Sequence, residues 1–536
     1  MDAPQAAIVL ESMAVPNWPG VYVLGCIDRR VTIYSQQVRG LNLAAALVAG
    51  EQVSVDDDVV VVGAGAAGLT CAAGLRRLGA KVTVLEKNST ILSLFRLGSQ
   101  RWLHPGVYDW PLDGWNRDRA GLPVLDWEHG QVNSVLRQLE DAWEQEGDGA
   151  NLCFDVGLIG IGDAGEQPRR VTWETGTART RTVILAVGFG LEPTPLADER
   201  SYWEADSFDY DRKDGPQRWL VSGCGDGALT DLFRLCIQDF RHDRVLLDFT
   251  EDQRMGELRE QIRQIEANAS IQRDPAKLHD AYEHLNAPWV VEAMQQRARS
   301  HNVTLVAPTA DFLNAQASPL NRFLAGQLFR ARRFRFLQDR LKSVDRANGK
   351  VVVRFKNSAV QHFDRIQRRH GPESALASGF PAIAEAVEKD RRDRQVRPTL
   401  TDQTRDRFWV AGAFGEPRTP GGVAAARAAA ARTSPRREQR PNAGAFQPDS
   451  ANHIAGSTQL DRDAAAAFVD DPNLARVEDE LGGVRIRPSR PASPDAEGSQ
   501  FESASRNESQ GQTLLASTLI VVIVGCLVLL IVIWSL

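Results

Sequence analysis

Residues 59–68, Val-Val-Val-Val-Gly-Ala-Gly-Ala-Ala-Gly, constrain the fold more than any other stretch of the chain. Four consecutive valines predict a buried strand, and three glycines at G-x-G-x-x-G spacing predict a tight turn that opens a helix. Residues 81–85 predict a second strand, which ends at Glu86. This order of strand, turn, helix and strand predicts an α/β fold with a parallel, Rossmann-like sheet.

Each part of the motif has a role in binding a dinucleotide. Gly63 permits the turn, Gly65 lets the backbone approach a pyrophosphate, and Gly68 lets the helix pack close to the strand. The helix N-terminus favours a phosphate, and Glu86 can accept hydrogen bonds from an adenosine ribose. The alternative is a glycine-rich turn that binds no ligand. The predicted contacts are Gly63, Ala64, Gly65, Ala66, Ala67, Gly68, Glu86 and Lys87.

A second unit of this kind begins at residues 218–228, with G-x-G-x-x-A spacing. The sequence predicts a helix over 228–240 and a strand over 244–248, whose terminal aspartate favours NADH over NADPH. Asp226 places a carboxylate where a phosphate is expected, and its other interpretation is a helix N-cap. The repeat predicts a second site, for NADH or NADPH. Its predicted contacts are Gly223, Gly225, Ala228 and Asp248.

The order of the two glycine motifs, the Ala186-Val187-Gly188 turn between them and a late segment at 408–412 resembles flavoproteins with two dinucleotide-binding domains. This class of FAD/NAD(P)-dependent oxidoreductases includes the pyridine-nucleotide disulfide reductases and the flavin monooxygenases. The resemblance covers about residues 57–432. It implies that the first motif binds FAD, with Gly188 in the turn of the Ala-Thr-Gly type, and that the second binds NAD(P)H. It also implies that Gly412 ends a strand beside the ribityl phosphate.

The sequence departs from that class in two ways. Gly412 is followed by Ala413, where the class has an aspartate, so a phosphate contact there must come from backbone N–H groups. The six cysteines form no C-x-x-C pair, which argues against dithiol chemistry and against a zinc site. No metal is therefore expected.

Candidate catalytic residues are few. The aromatic-rich loop at 101–111 either lies against a flavin ring or simply packs, and the sequence leaves both interpretations open. Hydride uptake by a flavin needs no dedicated acid or base, so the absence of a catalytic signature is compatible with an enzyme. The side chains that can contact substrate are His104, Tyr108, Asp109 and His370.

Residues 514–534 form an uncharged apolar stretch that predicts one transmembrane helix, with the catalytic part on the cytoplasmic side. The residues before it, from about 433, have the polar composition of a flexible linker. A predicted helix over 319–342 interleaves arginines with phenylalanines and would either contact anionic lipid or present a solvated face. The net charge of −6 argues against nucleic acid as a partner.

The sequence thus predicts a membrane-tethered, FAD-dependent oxidoreductase that takes hydride from NAD(P)H and reduces an unknown acceptor or oxygen. The alternative is a membrane-anchored sensor or effector that binds a dinucleotide without sustained turnover. Neither the substrate nor the oligomeric state can be read from the sequence. The expected domains are an N-terminal extension (1–54), an FAD domain (55–200 and 400–432), an inserted NAD(P) or substrate domain (201–399), a linker (433–512) and a transmembrane helix (513–535).

Overall fold

A computed structural model describes residues 1–25, 31–147, 150–157, 159–163, 165, 167–206, 208, 215–250, 254–272, 274–315, 317–393 and 407–415. The predicted linker and the predicted transmembrane helix lie outside these ranges. Among the helices of the described ranges, none is both long enough and apolar enough to cross a lipid bilayer.

The first part of the chain builds a parallel sheet around the first glycine loop. Its elements are α1 (Ala3–Met13), β1 (Val21–Val23), α2 (Ile33–Ala49), β2 (Asp58–Val62), α3 (Ala66–Arg77), β3 (Lys81–Leu85), β4 (Trp102–Leu103), β5 (Gly130–Gln131), α4 (Val132–Gly147), β6 (Asn151–Cys153), β7 (Ile159–Ile161), β8 (Arg169–Trp173), β9 (Gly176–Thr180) and β10 (Thr182–Leu185).

The first sheet has the strand order β1-β10-β2-β3-β6, and all of its pairs are parallel. Successive valines of β2 point to opposite faces. Val59 and Val61 belong to a core formed with α2 and α3, whereas Val60 and Val62 belong to a core on the other face. A strand buried on both faces is a near-continuous apolar run, which explains the four valines.

The second part of the chain repeats this plan with a large helical insertion. Its elements are β11 (Arg218–Ser222), α5 (Asp226–Cys236), α6 (His242–Thr250), α7 (Arg254–Ala267), α8 (Ala269–Gln272), α9 (Pro275–Glu283), α10 (Pro288–Gln296), β12 (Asn302–Ala307), α11 (Pro319–Arg330), β13 (Phe334–Gln338), β14 (Leu341–Ala347), β15 (Lys350–Phe355), β16 (Gln361–Phe363), β17 (Arg365–Arg368), α12 (Ala375–Gly379) and α13 (Pro381–Asp393).

The second sheet has the order β13-β12-β11-β17, again with parallel pairs. Helices α6 to α10 lie in sequence between α5 and β12, so the strand beside β11 comes much later in the chain than the repeat predicts. After β17 the chain returns to the first sheet. Leu376 of α12 and Ile383 of α13 are buried with Val60 and Val62. The predicted α/β class with two Rossmann-like sheets is confirmed for the described residues.

Three local predictions are wrong. Residues 244–248 form part of α6 instead of a strand, because a short apolar run fits either structure and tertiary packing decides. The single helix predicted over 319–342 ends at Arg330, and Phe334–Gln338 instead pairs with β12. Residues 408–412 form turns and bends instead of a strand, and a φ of +75° at Gly412 fits such a turn.

The aromatic loop that follows β4 inserts into the second domain. Trp110 is fully buried, its ring lies 5.4 Å from that of Phe323 on α11, and Trp115 joins the same core. Arg259 and Arg263 of α7 both donate to the carbonyl oxygen of Pro111. For these tryptophans the packing interpretation of the loop is therefore the right one.

Candidate dinucleotide site

The first glycine loop leaves one side open. Gly63 has a φ of +106°, and a Cβ atom there would lie 2.4 Å from the carbonyl oxygen of Ala186. A Cβ atom on Gly68 would lie 2.0 Å from the carbonyl oxygen of Gly63. By contrast, no heavy atom lies within 4 Å of the place a Cβ atom would take on Gly65. Gly63 and Gly68 are required by the protein's own packing, whereas the space beside Gly65 is open.

Glu86 is fixed against this loop. Its Oε2 accepts a hydrogen bond from the Ala64 N–H at 2.7 Å, and its Oε1 accepts from the backbone and side-chain nitrogens of Asn88 at 2.9 and 2.7 Å. The carboxylate is buried, and Lys87 beside it is exposed. Oε2 accepts one hydrogen bond here and has a second lone pair, so Glu86 can still accept from a ribose hydroxyl.

Two further predicted contact groups lie at the same edge of the sheet. Ala66 and Ala67 form the first turn of α3, where backbone N–H groups have no partner within the helix. Gly188 follows β10, the neighbour of β2, and has a φ of +70°. The edge therefore offers N–H donors, a carboxylate and a glycine turn together.

The second glycine loop has the same backbone geometry as the first. The N-cap residues of α3 and α5 match closely, with φ −78° and ψ 176° at Gly65 and φ −77° and ψ 177° at Gly225. No heavy atom lies within 4 Å of a Cβ position on Gly225 either. A Cβ atom on Gly223 would lie 2.3 Å from the carbonyl oxygen of Arg369, and Ala228 is buried as the third small residue.

Asp226 does not face the space in front of its own helix. Its Oδ1 accepts hydrogen bonds from the Ser318 N–H at 2.8 Å and from Nδ2 of Asn321 at 2.6 Å. These groups belong to the first turn of α11, whose N-cap is Ser318. Asp226 thus binds the start of α11 through Ser318 and Asn321.

Asp248 does not belong to the site. It lies on α6, where its carboxylate pairs with Nη2 of Arg297 at 2.5 Å. The prediction that it accepts from a ribose hydroxyl is wrong, because the strand expected to carry it is a helix. The preference for NADH that rested on it loses its basis.

Gly412 is placed elsewhere on the first domain. Phe414, two residues later, packs against Gly74, and Arg77 donates to the carbonyl oxygens of Phe414 and Gly415 at 3.2 and 2.8 Å. Gly74 and Arg77 lie near the C-terminal end of α3, whereas the glycine loop opens its N-terminal end. The structure therefore does not bring Gly412 to the first glycine loop.

Three catalytic candidates share the loop after β4. Nδ1 of His104 accepts from the N–H groups of Gly106 and Val107 at 3.1 and 3.0 Å, and burial lowers its pKa to about 4. Burial raises the pKa of Tyr108 well above its usual value, and the ring of Tyr108 lies edge-on to His242. Asp109 pairs with Arg117 at 2.7 Å. At neutral pH, His104 and Tyr108 are therefore uncharged hydrogen-bonding groups.

His370 lies at the second glycine loop. Its Nε2 is 2.7 Å from Oγ of Ser222, the residue before Gly223. No contact among the described residues joins it to the other three candidates. His370 precedes Gly371, whose φ is +91°, so Arg369-His370-Gly371 repeats the place of Ala186-Val187-Gly188 after the neighbouring strand. The sequence signal for this repeat is a strand followed by two residues and a glycine, and it is too short to stand out without the structure.

A buried ion network joins the domains and was not foreseen from the sequence. Asp231 of α5, which is fully buried, accepts from Arg101 at 2.6 Å and from Arg369 at 2.7 Å. Burial alone would raise the pKa of Asp231, but these two guanidinium groups hold it below its usual value. Arg369 also donates to Glu192, and Arg101 lies over the ring of Tyr202.

Comparison with known proteins agrees with the fold of the first loop. Residues 61–94 match the family described as NAD(P)-binding Rossmann-like domain. The first sheet and its glycine loop thus form a Rossmann-like unit. No curated protein matches the sequence.

Several solved structures are similar to the chain. They include a bacillithiol disulfide reductase from Staphylococcus aureus (11% identity, covering 59% of this chain and 77% of that one, TM-score 0.35). Thioredoxin reductase from T. acidophilum has 12% identity, covers 78% of this chain and 98% of that one, and has a TM-score of 0.34. The match to a lysine monooxygenase from Nocardia farcinica has 13% identity, covers 63% of this chain and 84% of that one, and has a TM-score of 0.33.

Proposed function

We propose that the protein is an FAD-dependent oxidoreductase that binds FAD at the first glycine loop and NAD(P)H at the second. The observation that carries the proposal is the repeated geometry of the loops. Gly65 and Gly225 have the same backbone conformation, and both leave open the space that a pyrophosphate would take. Two such sites in one chain suit two dinucleotides, one of which reduces the other.

The residues of the first loop fit the adenosine part of FAD. Glu86 is held in place by Ala64 and Asn88, and its Oε2 keeps a lone pair for a ribose hydroxyl. The N-terminus of α3 offers N–H groups and a positive dipole end to the pyrophosphate. The chemistry is that of the cofactors, namely hydride transfer from a reduced nicotinamide to a flavin. The chain binds and orients them, and His104, which accepts from N–H groups of its own loop, adds no charge.

The visible spectrum of the purified full-length protein tests this function. We expect a yellow protein whose flavin absorbance near 450 nm bleaches on adding NADH or NADPH without oxygen. A colourless protein that cannot be reconstituted with FAD would contradict the proposal and would favour a dinucleotide-binding sensor. A yellow protein that neither nucleotide bleaches would contradict the donor site alone.

A membrane tether belongs to the same proposal and rests on sequence. The uncharged stretch at 514–534 supports a single membrane span, with the enzymatic part on the cytoplasmic side. Deleting residues 512–536 should move the protein to the soluble fraction and leave its flavin content unchanged. If the shortened protein still sediments with membranes, another attachment must exist.

A further inference from the structure

The strand register identifies which residue of the second domain stands where Glu86 stands in the first. Gly63 N–H donates to the carbonyl oxygen of Leu85, and Glu86 comes next. Gly223 N–H donates in the same way to the carbonyl oxygen of Val306, and Ala307 comes next. Ala307 therefore occupies the position equivalent to Glu86, which the sequence pattern predicted for Asp248. The helical insertion separates Ala307 from the glycine loop along the chain.

The residues after Ala307 surround the second loop with polar groups. Cys224, the counterpart of Ala64, has its Sγ 3.8 Å from Oγ1 of Thr309 and 3.7 Å from Nδ2 of Asn314. Thr309 in turn donates to the backbone oxygen of Asp311 at 2.6 Å. The segment from Thr309 to Asn314 thus folds back onto the glycine loop, and Asp311 is the carboxylate that it carries.

The Asp311 carboxylate is held in a fixed position. Its Oδ1 accepts from the Leu313 N–H at 2.8 Å, and its Oδ2 lies against Nδ1 of His279 on α9 in an ion-pair contact. His279 belongs to the helical insertion, which therefore helps to position the side chain. The Asp311 side chain is 15% exposed, so solvent still reaches it. Both oxygens keep a lone pair for a ligand hydroxyl.

The charge of this segment disfavours a 2′-phosphate. From Asn302 to Asn321 the sequence has no lysine, arginine or histidine, and the next residue, Arg322, is fully buried and paired with Glu266. Sites for a 2′-phosphate use a cation near the end of this strand, whereas sites for a free 2′-hydroxyl use a carboxylate. The segment after β12 offers the carboxylate.

We infer that Asp311, positioned by His279 and Leu313, makes the second site selective for NADH over NADPH. The inference rests on the proposed function, because it assigns the specificity of the same donor site. Asp311 accepts a hydrogen bond from the 2′-hydroxyl of NADH, and its charge repels the 2′-phosphate of NADPH. The carboxylate that selects the cofactor thus comes after β12, on the far side of the helical insertion in the sequence, and not at Asp248.

Equilibrium binding of NADH and of NADPH to the full-length protein, followed by quenching of tryptophan fluorescence, tests the inference. We expect the wild type to bind NADH at least about tenfold more tightly, a ratio equivalent to about 1.4 kcal/mol. Asp311→Asn should narrow the ratio about tenfold, while Asp248→Asn should leave it unchanged. Preference for NADPH would overturn the inference and would point to a cation such as Arg340 on the neighbouring strand end.

A second variant protects against a folding defect in Asp311→Asn. The double change Cys224→Ala with Ala307→Glu copies the Ala64 and Glu86 pair of the first loop, and it should tighten NADH binding without tightening NADPH binding. Unchanged NADH binding by this folded variant would overturn the register argument. If neither nucleotide binds the wild type, the donor site itself is refuted and the inference with it.

Discussion

Single residues contribute strongly to the contact between the two domains, and the contribution of Asp231 can be tested directly. It is fully buried between Arg101 and Arg369, so its loss removes the carboxylate that the two buried guanidinium groups share. Breaking a buried ion pair by removing one partner costs about 3–5 kcal/mol. We expect Asp231→Asn to lower the free energy of unfolding by about that amount in chemical denaturation.

Asp113 is the matched control. It also lies between two arginines, Arg259 and Arg263, but its side chain is 86% exposed. Solvent screens such a pair, so Asp113→Asn should change stability far less than Asp231→Asn. Equal effects of the two substitutions would show that burial is not what makes the Asp231 network important.

Two half-buried histidines predict how stability depends on pH. Burial lowers the pKa of His104 and of His242 to about 4, from an ordinary value of 6.5. The unfolded chain therefore binds these protons first as pH falls, and each histidine removes about 1.4 kcal/mol of stability per pH unit between 6.5 and 4.

His104→Asn isolates one of these contributions. An asparagine oxygen can still accept from the N–H groups of Gly106 and Val107, but it does not titrate. The variant should lose less stability than the wild type between pH 7 and pH 5 in thermal melts. Parallel pH profiles for the two proteins would rule out a neutral, half-buried His104.

At the scale of elements, the glycine loops could be predicted from sequence because their geometry is local. Gly63 must have a positive φ, and Gly65 and Gly68 follow at fixed spacing, so the motif and Glu86 are recognisable without knowledge of the rest. The helix at 244–248 could not be predicted, because its apolar run suits a strand equally well. Among the described residues, six helices (α5 to α10) separate β11 from its neighbour β12, and no local signal marks Ala307 as the counterpart of Glu86.

The loop after β4 connects the two domains by packing Trp110 into the core of the second. Trp110 fills the second core beside Phe323, so Trp110→Ala should cost about 3–5 kcal/mol through the cavity that it leaves. Leu112, two residues on, is 40% exposed, and Leu112→Ala should have little effect. Urea denaturation compares the two variants. A Trp110→Ala protein as stable as Leu112→Ala would mean that the loop does not depend on this core.

At the scale of the whole molecule, the two Rossmann-like sheets form one interlocked body. Trp110 enters the second core, Arg101 bonds Asp231 of the second domain, and α12 and α13 return to the first sheet. The proposed function is that each loop holds a different dinucleotide, and that NAD(P)H held at the second loop reduces the FAD held at the first.

One measurement tests that claim most directly, namely the visible spectrum of Gly65→Ala and Gly225→Ala before and after NADH. Neither methyl group meets a protein atom within 4 Å, so both variants should fold, and Gly256→Ala, equally open on α7, is the control. We predict that Gly65→Ala is colourless and that Gly225→Ala is yellow but unbleached by NADH that bleaches the wild type. Full flavin content in Gly65→Ala, or normal bleaching of Gly225→Ala, would contradict the account.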